Sequence, residues 1–209
     1  MQKITKRSGF EPTSLTRWKA SNPGKTYLDL DPGERQDIRA ACLAEQFYLC
    51  AYCCQPISEQ NSMNEHVEAR RIAPHRSLDF TNIVASCTTA KQCDDSHGSQ
   101  PLPLTPFMVE CETELEFKLS GRVEGHSARA QEAIRVLNLG DTETNNRALI
   151  ERRKQFVHSI LFSNGINPND GLDDDELIGM VIEDISTPKT GKLEAYAPVA
   201  VNILNNWLR

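Results

Sequence analysis

No stretch of this chain approaches the roughly 20 consecutive apolar residues that a membrane-crossing helix requires, which excludes a spanning segment of that kind. Basic residues are not in excess either: 23 Lys and Arg stand against 29 Asp and Glu, a net charge of -6. Proteins that coat nucleic acid unaided draw on many Lys and Arg contacts to phosphate, so that class is excluded and a nucleic-acid substrate would need help in delivery. Internal repeats and low-complexity tracts are missing, which removes repeat arrays. The N-terminus carries nothing like a secretory signal, and the 7 cysteines are odd in number. A disulfide-stapled secreted scaffold is therefore not expected, and a reducing, cytoplasmic setting is.

What is present suffices for one domain of ordinary size with appended helices, because 209 residues at 39% hydrophobic content can bury a core without disulfides. Charge is unevenly spread. Lys3, Lys6, Arg7, Arg17, Lys19 and Lys25 face a single acid, Glu11, at the N-terminal end, whereas residues 165–185 hold seven acids and no base. The first thirty residues mix Pro, Gly, Ser and charge with isolated anchors at Phe10, Leu15, Trp18 and Tyr27. That pattern predicts an extended basic arm over residues 1–30, either a partner-binding or nucleic-acid-binding segment or a solvated terminus.

Asp31-Pro32-Gly33-Glu34 reads as a helix start, with Asp31 as cap and Pro32 at the first helical position, and Ile38, Ala41, Cys42, Ala44 and Phe47 follow at helical spacing. Short strands are expected over residues 63–69 and 83–86, and a hairpin over 107–124, with strands at 107–111 and 115–123 and a turn or bulge at Gly121. Beyond it the period becomes helical. Ser127 caps a helix stopping at Gly140, Thr142 or Thr144 opens another closed by Asn164-Gly165, and a third runs from Asp173 to Ile185 with acids in its first turn. The expected organisation is a central unit over residues 31–125 and a helical region over 126–209 packed on it.

Five of the seven cysteines fall within residues 50–93. Cys50-x2-Cys53 has the spacing of a metal knuckle, and Cys87-x5-Cys93 is a looser second pair; thiolates arriving in two close pairs suit one tetrahedral Zn2+. Cys54 is an alternative to Cys53, although the two-residue gap is the more usual turn. Cys42 and Cys111 sit on predicted core faces and read as packing. Between the pairs lie Glu65-His66 and Asn82.

Phosphodiester hydrolysis needs a water deprotonated near neutral pH, in-line attack, and a cation against the phosphate and leaving oxygen. Histidine, with an unperturbed pKa of about 6.5, is the natural base. Neighbouring residues on a strand point to opposite faces, so Glu65 and His66 can address a metal and a water from one place without competing. Arg70, Arg71, His75, Arg76 and Lys91 are candidates for phosphate contact, or for simple pairing with Glu68 and Asp79.

Glu65-His66, Asn82-Ile83-Val84 and the flanking cysteine pairs resemble the HNH endonucleases, whose ββα-metal site is often braced by a four-cysteine zinc. The resemblance implies an α+β fold with Cys50, Cys53, Cys87 and Cys93 on structural zinc, Glu65 as ligand to catalytic Mg2+ or Mn2+, His66 as general base and Asn82 as its orienting residue. More of the chain follows: Cys50-Ala51-Tyr52-Cys53, Gln92-Cys93, Pro101-Leu102 with Pro106, the Gly121 turn and C-terminal helices are similar to the HNH subunit of Septu and retron-linked anti-phage defence systems. Members of that group work with an ATPase subunit of the SMC and ABC type. The implied partners are thus such an ATPase, DNA as first-choice substrate, and a retron reverse transcriptase with its RNA-DNA hybrid.

One departure stands out. Similar proteins read Cys-Gly-His-x-Lys-Gly after the second knuckle, and this chain has Cys93-Asp94-Asp95-Ser96-His97-Gly98. Asp95 holds the family's His position and His97 its Lys position, so either is expected as the last ligand of the catalytic metal. Two other readings fit the residues: a ribonuclease of the same chemistry acting on tRNA, and a non-catalytic zinc-knuckle module binding nucleic acid or protein, which would need the cysteines but not Glu65, His66 and Asn82.

Overall fold

The computed structural model describes residues 1–142, 146–167 and 174–208, and its elements form a mixed α+β fold with two small antiparallel sheets. The N-terminal stretch is not an extended arm. Thr13–Ser21 forms helix α1, which buries Leu15 and Trp18 one turn apart, and Met1, Ile4, Tyr27 and Leu30 are buried beside them. Few apolar residues mark this helix, so its periodicity is faint in sequence; packing against the next helix supplies what propensity does not. Some of the arm's positive charge is consumed internally, with Lys6 2.9 Å from Glu45 and Lys19 2.5 Å from Glu11.

Helix α2, Pro32–Glu45, starts with Pro at the first position, but the Asp31 side chain makes no capping hydrogen bond. Its buried face is Ile38, Cys42 and Leu43. Phe47 and Tyr48 then take left-handed backbone angles, φ 50° and 62°, turning the chain back towards the centre of the molecule. There β1, Ser62–His66, pairs with β2, Ile83–Cys87, in an antiparallel ladder that sets Glu65 opposite Val84 and His66 opposite Ile83. Every residue of β2 is buried. Gln46 ties α2 to the outer edge of β2: its Nε2 donates to the Ala85 carbonyl at 2.8 Å, and its Oε1 accepts from the Ala85 amide at 2.7 Å. The short helix α3, Asp94–His97, follows.

The second hairpin is smaller than its sequence suggests. Strands β3, Leu115–Phe117, and β4, Val123–Gly125, flank a tight turn closed by the Gly121 amide on the Lys118 carbonyl at 2.8 Å. The strand expected over residues 107–111 does not form; Val109–Glu112 is a 3-10 turn instead. The alternation there reports Cys111 packing inward, not sheet pairing. Gly121 itself is obligatory: φ is +84°, and a Cβ would lie 2.2 Å from the Ile150 carbonyl oxygen.

Helix α4, Ala128–Leu137, is capped by Ser127 and ends at Asn138, which takes the left-handed position two residues before the expected Gly140. Helix α5, Arg147–Ser163, is capped by Asn146, whose Oδ1 accepts from the Leu149 amide, and not by Thr142; Thr144 lies outside the described residues. Helix α6, Asp175–Ser186, is capped by Asp174, and Asp173 likewise lies outside the described residues. Helix α7, Ala197–Trp207, packs on α5, α6 and β3. One hydrophobic cluster runs from Met1 to Leu204. Among the described residues no helix is long and apolar enough to cross a membrane.

Candidate functional site

The turn after α2 presents Cys50 and Cys53 together. The Cys50 amide is held by the Gln55 carbonyl at 2.9 Å, the Cys54 amide by the Cys50 carbonyl at 3.1 Å, and Cys54 takes φ 61° to close the knuckle. Cys87 ends β2 and Cys93 precedes α3, so strand, knuckle and helix all converge. The four sulfurs are buried and lie within 4.8 Å of one another. Cys50 and Cys93 are 3.8 Å apart, and Zn–S bonds of about 2.3 Å place tetrahedral sulfurs about 3.8 Å from each other. The group can hold a structural metal such as zinc. Burial pushes the Cys53 and Cys93 thiols well up, whereas hydrogen bonds from Cys50, Cys53 and Cys93 bring Cys87 down. Four adjacent thiolates require a cation between them, and a dication supplies it.

The remaining cysteines behave differently. Burial raises Cys42 to about 11 and Cys111 to about 12, and raises Cys54 as well, so all three stay protonated and pack as small apolar groups. Cys53, not Cys54, is the knuckle's second member of the cluster.

Beside the cysteines a cleft of about 490 Å³ opens, lined by Glu65, His66, Asp94, Arg70, Arg71 and Ser77 among others. Glu65 and His66 diverge from adjacent positions on β1. Glu65 reaches inward: its Oε1 accepts from the Tyr52 hydroxyl at 3.2 Å and lies 2.5 Å from His97 Nδ1. His66 turns the other way, its Nε2 2.9 Å from the Ser77 carbonyl and its ring edge-on to Tyr27 at 4.7 Å. A carbonyl only accepts, so Nε2 carries the hydrogen and Nδ1 keeps its lone pair. Burial pushes the imidazole's pKa down, which keeps that lone pair available at neutral pH.

The two expected alternatives for the last ligand are both placed away from the open cleft. His97 is fully buried behind Glu65, with Nε2 on the Gln100 carbonyl at 2.8 Å. Asp95 points to the opposite side, where its Oδ2 accepts from the Lys91 amide at 2.6 Å. The residue that joins Glu65 is Asp94, which sequence reasoning passed over. Burial, followed by its hydrogen bond and charge contact with Glu65, pushes the Asp94 carboxyl up to about 8; Glu65 is also raised, chiefly by burial. Two carboxyl groups this close share a proton unless a cation neutralises them. The signal available beforehand was the helical repeat: Asp94 and His97, three apart, share a face that Asp95 does not.

Asn82 does not line the cleft. Its Oδ1 accepts from the Glu68 amide at 2.8 Å and its Nδ2 donates to the Glu68 carbonyl at 3.0 Å, while its own carbonyl accepts from the Val67 amide at 3.0 Å. It thereby clamps the backbone immediately after His66. The basic residues divide as well. Arg70 and Arg71 line the cleft, Arg76 is engaged by Glu68 and, at 2.8 Å, by Asp79, and Lys91 lies on the far side with Asp95.

Comparison of the chain with protein-family models gave no match, and neither did comparison with curated proteins.

Proposed function

We propose that this chain is a metal-dependent endonuclease of the HNH type, with the β1–β2 hairpin and α3 forming a ββα-metal core braced by zinc. The observation that carries this reading is the meeting of the Glu65–Asp94 carboxyl pair with a neutral, carbonyl-anchored His66 in one open cleft. Mg2+ and Mn2+ keep several waters and accept one or two carboxylates, a donor set that Glu65 and Asp94 fit. When bound, such a cation supplies charge neutralisation at the scissile phosphate and leaving oxygen. His66 Nδ1 takes the proton of the attacking water, Ser77 holds the ring through Nε2, Asn82 keeps the following backbone in place, and His97 with Tyr52 orients Glu65. Arg70 and Arg71 contact phosphate oxygens flanking the cut.

DNA is the proposed substrate and an ATPase of the SMC and ABC type the proposed partner, in a cytoplasmic anti-phage defence complex. The net charge of -6 is consistent with a nuclease that needs such a partner to grip its substrate. The test is His66→Ala in the assembled complex with Mg2+ or Mn2+. General-base loss costs about 10²–10⁴-fold in rate, with the chain still folded and zinc-loaded. Wild-type cleavage by that variant would leave only the zinc-knuckle module, and preferential cleavage of matched RNA over DNA would move the substrate to tRNA-like molecules.

A further inference from the structure

Four thiolates on one Zn2+ leave two surplus negative charges in a fully buried place, and something must face them. Gln92, itself 0% exposed, lies against two of the sulfurs: its Nε2 is 3.3 Å from Cys53 Sγ and 3.5 Å from Cys87 Sγ. The opposite amide orientation would turn the carbonyl oxygen onto two thiolates, which repulsion forbids. The orientation is fixed from behind, because Gln92 Oε1 accepts from Asn146 Nδ2 at 2.9 Å. Asn146 is the N-cap of α5 and also donates to the Asn138 carbonyl at 2.9 Å, so one side chain joins the end of α4, the start of α5 and Gln92.

The same helix contributes a buried cation. Arg153, 0% exposed, donates to the Gly121 carbonyl at 2.6 Å and the Leu139 carbonyl at 3.0 Å, while its Nε has no hydrogen-bond partner. Its guanidinium also faces the Phe117 ring at 4.8 Å, and the charges that favour keeping it protonated in this burial include Cys53 and Cys93 of the sulfur cluster. Among the described residues it is the sole Lys or Arg in the buried class.

We infer that Gln92 is the positioning residue of the tetrathiolate centre, its side-chain amide hydrogen-bonding Cys53 and Cys87, and that through Asn146 and Arg153 the start of α5 forms the centre's outer shell. Metal loading and docking of the C-terminal helices are thereby one event. This rests on the four cysteines holding a metal. The test uses the full chain loaded with NMR-active cadmium in place of zinc. Scalar coupling between the metal and the Gln92 side-chain amide protons is expected, together with greater hydrogen-exchange protection of Leu149 and Ile150 on loading. Gln92→Met, equal in length but without donors, should bind zinc about 10–100-fold more weakly in chelator competition. Cadmium held by all four cysteines with no coupling to Gln92, and unchanged zinc affinity in Gln92→Met, would overturn the inference while leaving the metal centre intact. A chain that takes up neither metal would remove the centre and this inference with it. Should Gln92→Met not accumulate as folded protein, the coupling measured on the wild-type chain decides.

Discussion

Two sites share one peptide bond. Cys93 belongs to the closed, wholly buried sulfur cluster, and Asp94 belongs to the open cleft. The cluster has four soft donors and no room for a substrate, the form of a structural metal site. The cleft has hard carboxylates, a basic imidazole and space, the form a reactive site takes. Their adjacency teaches that the cluster's work is geometric. By gathering the knuckle, the end of β2 and the start of α3, it fixes where Asp94 stands relative to Glu65 and His66 on β1.

That division can be broken from either side. The largest effect is expected from Cys87→Ser, since structural zinc contributes apparent binding energies of about 10–16 kcal/mol to folding in small zinc domains. Loss of bound zinc and of cooperative unfolding, read by metal analysis and circular dichroism, is the expected result; an intact melt would mean that the cluster does not organise the chain. Asp94→Asn should do the reverse. It should keep the zinc and the fold yet lose about 10²-fold or more in metal-dependent cleavage, whereas Asp95→Asn, on the other side of α3, should cleave like wild type. Equal losses in the two variants would erase the distinction between the faces.

Asn82→Ala tests the link between sites. It removes two part-buried hydrogen bonds to the Glu68 amide and carbonyl, at a cost of about 0.5–1.5 kcal/mol each, and should lower activity without releasing zinc, which a denaturant melt beside a metal assay would separate. The smallest effect belongs far from both sites. Hydrogen bonds from Arg129 and Ser127 hold the Glu114 carboxyl down to about 2. A depressed carboxyl adds stability above its ordinary pKa of about 4.3 and loses it as pH falls through the folded value. The difference in melting temperature between wild type and Glu114→Gln should thus be constant above pH of about 5 and vanish near 2. A difference persisting unchanged into strong acid would show that Glu114 acts through packing alone.

Much of the candidate site was legible because its signals are local. Cysteine pairs at short spacing converge wherever the chain folds, and a Glu-His dipeptide on a strand must present its two side chains to opposite faces. Helix starts with strong chemistry were equally readable, as Pro32 and Ser127 show. Asp94 was not, because the helical repeat groups Asp94 with His97 and apart from Asp95 without saying which face meets Glu65, and neighbouring elements set the rotation of that four-residue helix. The Cys93 amide hangs on the Leu137 carbonyl at 2.9 Å, and Ser96 Oγ donates to the Val136 carbonyl at 2.8 Å. The N-terminal helix was unreadable for a related reason: Leu15 and Trp18 mean little until α2 is there to cover them.

By itself, then, the sequence determined the pairing of four cysteines into one sulfur cluster and the divergence of Glu65 and His66 from one strand, because each depends on chemistry and short spacing. Tertiary structure alone decided which carboxyl stands with Glu65 in the cleft, that His97 supports from behind, and that the basic N-terminal stretch is packed into the core. Those outcomes turn on the rotation and docking of short elements, and such elements have too few contacts of their own to choose an orientation before the rest of the molecule is in place.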